Sequence, residues 1–184
     1  MFERIHNEFT LPAEGGAKVS NNPKDPGGYT KYGISFRFLQ NIPVKDADVN
    51  KDGNVTWQDV LALDDAKQKV IFKKYFWDAI KGDEMPSLLA MAVYDAAVNL
   101  GVVRAIKMLQ YALGVTSDGV IGVQTLAAAN SKDTVNTVKI LMAVRMLYYY
   151  GLANDTAWAD EFIQGWRNRV YKLYAFLGIE NYFS

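Results

Sequence analysis

The sequence predicts a mainly α-helical fold, with a small β-hairpin and turn region near its N-terminus and a metal-spaced loop inserted between the two. Three observations carry that expectation. From residue 57 onward apolar residues recur almost throughout at helical spacing, in segments that often end at glycine. Residues 15–34 combine Gly15, Gly16, Gly27 and Gly28 with Pro23 and Pro26, a composition that makes turns and short strands rather than helix. Between them, residues 48–59 read DVNKDGNVTWQD, with side-chain oxygens at alternate positions around one glycine.

Taken in order, Phe2, Ile5 and Phe9 recur at helical spacing and predict a short amphipathic helix, ended or kinked by Pro12. The turn region and the loop follow. The stretch DDAKQKVIFKKYFWDAI opens with acids suited to a helix start and sets Val70, Ile71, Tyr75 and Trp77 near one face. Residues 87–103 read as a buried helix containing Asp95 and Asn99, and further helical segments run over 102–114, 120–130, 134–153 and 156–178. The expected organisation is one domain over 1–184, with a lobe over 2–100 that carries the loop and a helical lobe over 101–184.

Twenty basic and twenty acidic residues give zero net charge, and no basic cluster stands out. That excludes the positive field a nucleic-acid binder needs. Cysteine is absent, so there is no disulfide and no thiol nucleophile, and a reducing cytosol is no obstacle to folding. The N-terminus MFERIHNEFTL lacks the apolar core of a signal peptide. The longest apolar-rich stretch is interrupted by Asp95 and Asn99, too short and too polar for a membrane span. His6 is the sole histidine, which argues against a histidine-rich zinc site and against a Ser-His-Asp triad.

Residues 48–59 fit the calcium loop of an EF-hand position by position. Asp48, Asn50 and Asp52 take the first, third and fifth places, and Gly53 the sixth. Asn54 gives its carbonyl at the seventh, Thr56 stands at the ninth, and Asp59 holds the twelfth, where glutamate is usual. The expectation is a structural calcium ion, weakened by the shorter Asp59. The alternative is an Asx-rich turn capping the next helix.

Glu14 raises a different question. A side chain that protonates a leaving group at neutral pH calls for partial burial or a nearby negative potential. Two glycines after it let a polymer approach the backbone closely. Asp25 and Thr30 follow across a loop able to fold back, and an acid, a second carboxylate and a water-holding hydroxyl are the parts of an inverting glycosidase. Spacing alone favours a solvated acid beside a turn, because acids near glycines are common. Asp95 and Asn99, one turn apart on an apolar helix, either border a cleft or form a satisfied internal pair. Tyr29 and Tyr32 are candidates for stacking on sugar rings.

The segments EGG, NNPKDPGGYTKYGIS, YFWDAI, YDAAVNLGVVRAIKMLQYALGV, DGVIGVQTLAA and GWRNRV occur in the order seen in glycoside hydrolase family 108, which the chain resembles over roughly residues 2–175. That family comprises phage endolysins and bacterial muramidases with a predicted peptidoglycan-binding region in the C-terminal half. The resemblance implies a lysozyme-like fold, peptidoglycan as substrate and Glu14 as the catalytic acid. Ala17 stands where the family usually has an aromatic, and the calcium loop looks like an insertion relative to shorter members. The Glu, Asp, Thr order also resembles the phage lysozymes of family 24, which implies that Asp25 and Thr30 position or activate the attacking water; Asp25 alternatively only braces the loop. The implied protein is a monomeric muramidase acting on cell walls in the periplasm. It waits in the host cytoplasm for a pore-forming holin if it is an endolysin. A lytic transglycosylase, a non-catalytic calcium-stabilised wall-binding module and a resident bacterial muramidase are the alternatives.

Overall fold

The computed structural model describes residues 1–21, 28–155 and 160–180. The chain divides into two compact units, one over His6–Tyr75 and one joining Met1–Ile5 to Phe76–Ser184. It begins with a single helical turn, α1 (Phe2–Ile5), which buries Phe2 and Ile5 as their spacing predicts. The helical run continues through His6–Thr10 as a wider π turn and then α2 (Leu11–Ala13). A proline has no N–H to give, and its ring crowds the carbonyl four residues back; the wider turn accommodates both. Pro12 therefore shifts the register instead of ending the run.

In the His6–Tyr75 unit, β1 (Ser20–Asn21), β2 (Tyr29–Lys31) and β3 (Ile34–Ser35) form an antiparallel sheet in chain order. Thr30, in the middle of β2, pairs with Ser20 on one side and Ser35 on the other. Four short helices follow, most of them started by a side-chain cap. Ser35 opens α3 (Phe36–Leu39) by accepting from the Phe38 N–H at 3.1 Å. After α4 (Val44–Ala47) comes α5 (Trp57–Ala62), opened by a reciprocal capping box between Thr56 and Asp59. Asp64 opens α6 (Asp65–Phe72), accepting from the Lys67 N–H at 2.7 Å. This last helix buries Gln68, Ile71 and Phe72, while Val70 is 62% exposed, contrary to the predicted face. A second π turn over Lys73–Trp77 changes the register, so a face read through residue 77 mixes two helical phases. Inside, His6 Nε2 and Gln68 Oε1 lie 2.7 Å apart, and the His6 ring packs on Phe72.

Among its described residues, the regular elements of the other unit are all helices. Its centre is α7 (Ser87–Leu100), buried at every position from Leu89 to Ala97. A helix apolar on nearly all faces belongs inside a bundle. It packs on α1, on α8 (Val102–Leu113) and, beyond α9 (Val123–Ser131), on α10 (Thr134–Asp155), which also meets α8 and α11 (Asp160–Leu177). The rings of Phe2, Trp77 and Tyr94 meet pairwise at 5.7–5.9 Å. Trp77, fully buried, satisfies its one donor on Asp83 Oδ1 at 2.9 Å. No helix among the described residues is long and apolar enough to cross a membrane.

Candidate active site

Glu14 caps the C-terminal end of α2, its N–H reaching back to the carbonyls of Thr10 and Leu11. The chain then reverses through Gly15 and Gly16, and the Gly16 carbonyl accepts from the Tyr32 N–H at 2.9 Å. That bond fastens the Glu14 loop to the turn between β2 and β3. The turn itself is Tyr32-Gly33, both residues at positive φ (56° and 75°), as a two-residue hairpin of this hand requires. Tyrosine is an uncommon choice at such an angle, and strain of this kind gathers at working sites. Gly33 has a second duty. A β-carbon built on it would stand 2.8 Å from Glu14 Cβ and 3.2 Å from Glu14 Oε2. The half-buried Glu14 side chain therefore lies directly against the hairpin backbone.

Successive side chains of β2 leave opposite faces of the sheet, so Thr30 is turned away from its neighbours Tyr29 and Lys31. Those two neighbours are fixed by α5. The Tyr29 ring stacks on Trp57 at 5.0 Å and 24°, and Trp57 keeps 43% of its surface exposed. Lys31 Nζ donates to the carbonyls of Leu61 and Leu63 at 2.8 and 2.6 Å, closing the end of α5. Sequence reasoning missed Gly33, Lys31 and Trp57. Their only signal was proximity in the chain to Thr30 and to the polar loop.

Of the other sequence candidates, Asp25 falls within 22–27 and lies outside the described residues, as does Gly27. Asp95 and Asn99 belong to the helical unit. Asp95 is fully buried between two guanidinium groups, accepting from Arg145 Nη1 at 2.8 Å and from Arg169 Nη2 at 2.7 Å. Arg145, itself fully buried, also donates through Nη2 to Asn99 Oδ1 at 3.3 Å and through Nε to the Tyr149 hydroxyl at 2.7 Å, and that hydroxyl donates to Asn99. Burial pushes the Asp95 carboxyl up, but the charges of Arg169 and Arg145 outweigh it and hold the group below the usual carboxylate range. Of the two readings of this pair, the geometry around Asp95 is that of a satisfied internal cluster.

The loop over 48–59 curls through Lys51 at φ 64° and Gly53 at φ 89°. Its oxygens are occupied by its own backbone. Asp48 accepts from the N–H groups of Asp52 and Gly53, and Asn50 Oδ1 accepts from Asp52. Asp52 takes the Asn54 N–H. Asp59, fully buried, accepts from Val49 and Asn50 with one oxygen and from Thr56 with the other. Among the described residues no group of three or more acidic or histidine side chains is gathered so as to hold a metal ion. The loop is thus closed on N–H groups, with Asp59 joining its two ends.

Residues 7–101 match the family model described as Glycosyl hydrolase 108, and residues 104–171 match one described as Predicted Peptidoglycan domain. Among solved structures, that of SagA from Brucella abortus is 30% identical, with a TM-score of 0.77 over 96% of this chain and 92% of that one. No curated protein matches.

Proposed function

The chain belongs to the glycosyl hydrolase 108 family and carries a peptidoglycan-binding region after it, so it is a glycoside hydrolase with peptidoglycan as partner; on that premise we propose that it is an N-acetylmuramidase. The bond cut is the β-1,4 linkage between N-acetylmuramic acid and N-acetylglucosamine. Glu14 gives its proton to the glycosidic oxygen as the C–O bond breaks. A water positioned by Asp25 and Thr30 supplies hydroxide to the anomeric carbon, and its remaining proton passes to Asp25. The observation that carries this reading is the seat of Glu14, half-buried against Gly33 in the turn that follows the strand of Thr30. Tyr32, held in that turn, and the Tyr29–Trp57 pair are the rings we assign to sugar contacts. Asp95 has no exposed surface with which to bind sugar, and no such contact is proposed for it.

Mass spectrometry of muropeptides released from purified peptidoglycan tests the reaction. Reducing muramic-acid ends are expected. Anhydro ends would make the protein a lytic transglycosylase, and binding without release would make it a wall-binding module. In the same reading the protein is a monomeric endolysin that reaches the wall through a holin's pores. Expression with a holin should then clear a culture, whereas expression alone should not.

Gly33→Ala should slow hydrolysis about tenfold to a hundredfold, because the new methyl displaces Glu14 by a large fraction of an ångström. The melting curve should show only about 1–2 kcal/mol of lost stability from the strained angle. An unchanged rate would mean that the position of Glu14 against the hairpin is immaterial.

We further propose that residues 48–59 bind a structural calcium ion through Asp48, Asn50, Asp52, the Asn54 carbonyl, Thr56 and Asp59. The curl of the loop suits this, while Asp59 must exchange N–H partners for the ion. Calcium should raise the melting temperature over that in chelator, and Asp48→Ala should remove the rise. A parent protein indifferent to calcium would refute the site.

A further inference from the structure

The stretch Ser117–Thr125 has no part in the reaction proposed for Glu14; its sequence resembles a motif of small peptidoglycan-binding domains, and by itself says only that a turn caps a helix. In the structure it borders an open cavity of about 200 Å³. Val115, Val120 and Val123 give apolar walls, and Thr116, Asp118 and Thr125 bring polar groups. The loop is braced from beneath by Gln110 of α8, which is 1% exposed. Its Nε2 donates to Asp118 Oδ1 at 2.6 Å and to the Val120 carbonyl at 2.9 Å, while its Oε1 accepts from the Gly119 N–H at 2.8 Å. The Val120 N–H also ends on Asp118 Oδ1, at 2.9 Å.

Two consequences follow from this wiring. The bonds that Gln110 and Val120 make to Asp118 land on one carboxylate oxygen, and the Lys107 charge also acts on the group. The hydrogen bond from Gln110, then that from Val120, holds the Asp118 carboxyl below its usual range, so the exposed group carries a full negative charge at neutral pH. In addition, an amide nitrogen has only two hydrogens, and the two shorter bonds from Gln110 use both. The Thr125 hydroxyl, 4% exposed on the cavity wall, accepts a third, longer and shared contact from that nitrogen at 3.3 Å, and its own O–H remains a donor.

A cavity of this size sits below the usual range for whole small molecules, about 300–1,000 Å³, and takes the end of one residue rather than a disaccharide. No aromatic ring lines it, so it lacks the flat surface on which a sugar stacks. Peptidoglycan's other half is its peptide stem, which combines alanine methyls with the free primary ammonium of a diamino acid. We propose that this cavity binds the peptide stem, with Asp118 taking the ammonium, the three valines enclosing a neighbouring methyl and Thr125 meeting a peptide carbonyl. The inference rests on peptidoglycan as the partner and is independent of Glu14. It also implies a preference for stems whose amine is not cross-linked.

The test is calorimetric titration of the full chain with three probes. These are the tetrapeptide L-Ala-D-Glu-meso-diaminopimelate-D-Ala, the same peptide acetylated on its side-chain amine, and a peptide-free glycan oligomer. The free-amine peptide should bind at least tenfold tighter than the acetylated one, and Asp118→Asn, which keeps the acceptor for Gln110 and Val120, should abolish the difference. Equal binding of the two peptides by the parent needs no variant to interpret and overturns the proposal, as does a preference that survives in a folded Asp118→Asn protein. Release of muropeptides by the same preparation separates this failure from failure of the muramidase reading.

Discussion

Glu14→Gln should fold, bind cell walls and release muropeptides about a hundred to ten thousand times more slowly than the parent, the span that general acid catalysis usually contributes. The substitution changes one oxygen for an amide nitrogen, so the side chain keeps its volume against Gly33. It also leaves untouched the backbone bonds that seat the loop, from the Glu14 N–H to Thr10 and Leu11 and from the Tyr32 N–H to Gly16. What it removes is the acidic proton. The leaving sugar must then depart as an alkoxide or take a proton from water, and the rate falls without a change of fold. Melting temperature should stay within the small range typical of positions outside the core, about 0.5 kcal/mol in stability. Release rates by mass spectrometry beside a melting curve decide the matter. A Glu14→Gln protein that works at the parent rate would remove Glu14 from the mechanism.

Asp95→Ala should be the most damaging single change to stability. It leaves the guanidinium of Arg145, fully buried, and that of Arg169, 11% exposed, without the carboxylate between them. Removing one partner of a buried ion pair typically costs about 3–5 kcal/mol, since the remaining charge stays in a poor solvent. At about 2–4 °C per kcal/mol for a chain of this size, a loss on the order of 10 °C in melting temperature is expected. The pH dependence has a definite sign. The folded carboxyl lies below its unfolded value, so its contribution is fully present above the unfolded value of about 3.9. It is lost as pH falls through the folded value, because the unfolded chain then takes up the proton first. The parent should therefore lose stability on acidification below about pH 4, and Asp95→Asn should lose less over that window. A melting temperature for Asp95→Ala within about 2 °C of the parent would contradict the cluster's role.

Much of the helical unit was legible because α7 announces itself. A run of small and apolar residues from Leu89 to Ala97 can only be buried on all sides, and it is. The hairpin region was legible from its glycines and prolines, although Gly33, the glycine against which Glu14 lies, was not among those singled out. The misses have a common cause. Val70 was assigned to a buried face because the pattern assumes one register, and a π turn changes it. Lys31 serves the end of α5, thirty and thirty-two residues away, and no local pattern marks such a cap. Asp95 and Asn99 drew attention as a polar pair, yet the groups that satisfy Asp95 come 50 and 74 residues later. Arginines at that distance look like any solvated charge. The Glu14 site was legible mainly through family likeness, because its own residues are common in ordinary turns.

That separation between Asp95 and Arg169 has a bearing on synthesis. At about 5–20 residues per second, Arg169 is polymerised roughly 4–15 s after Asp95. Until α11 clears the ribosome, the centre of the helical unit holds a carboxylate with only one of its two guanidinium partners. A nascent chain halted before residue 169 should therefore stay open and sensitive to protease, and the helical unit closes only once α11 has emerged from the ribosome.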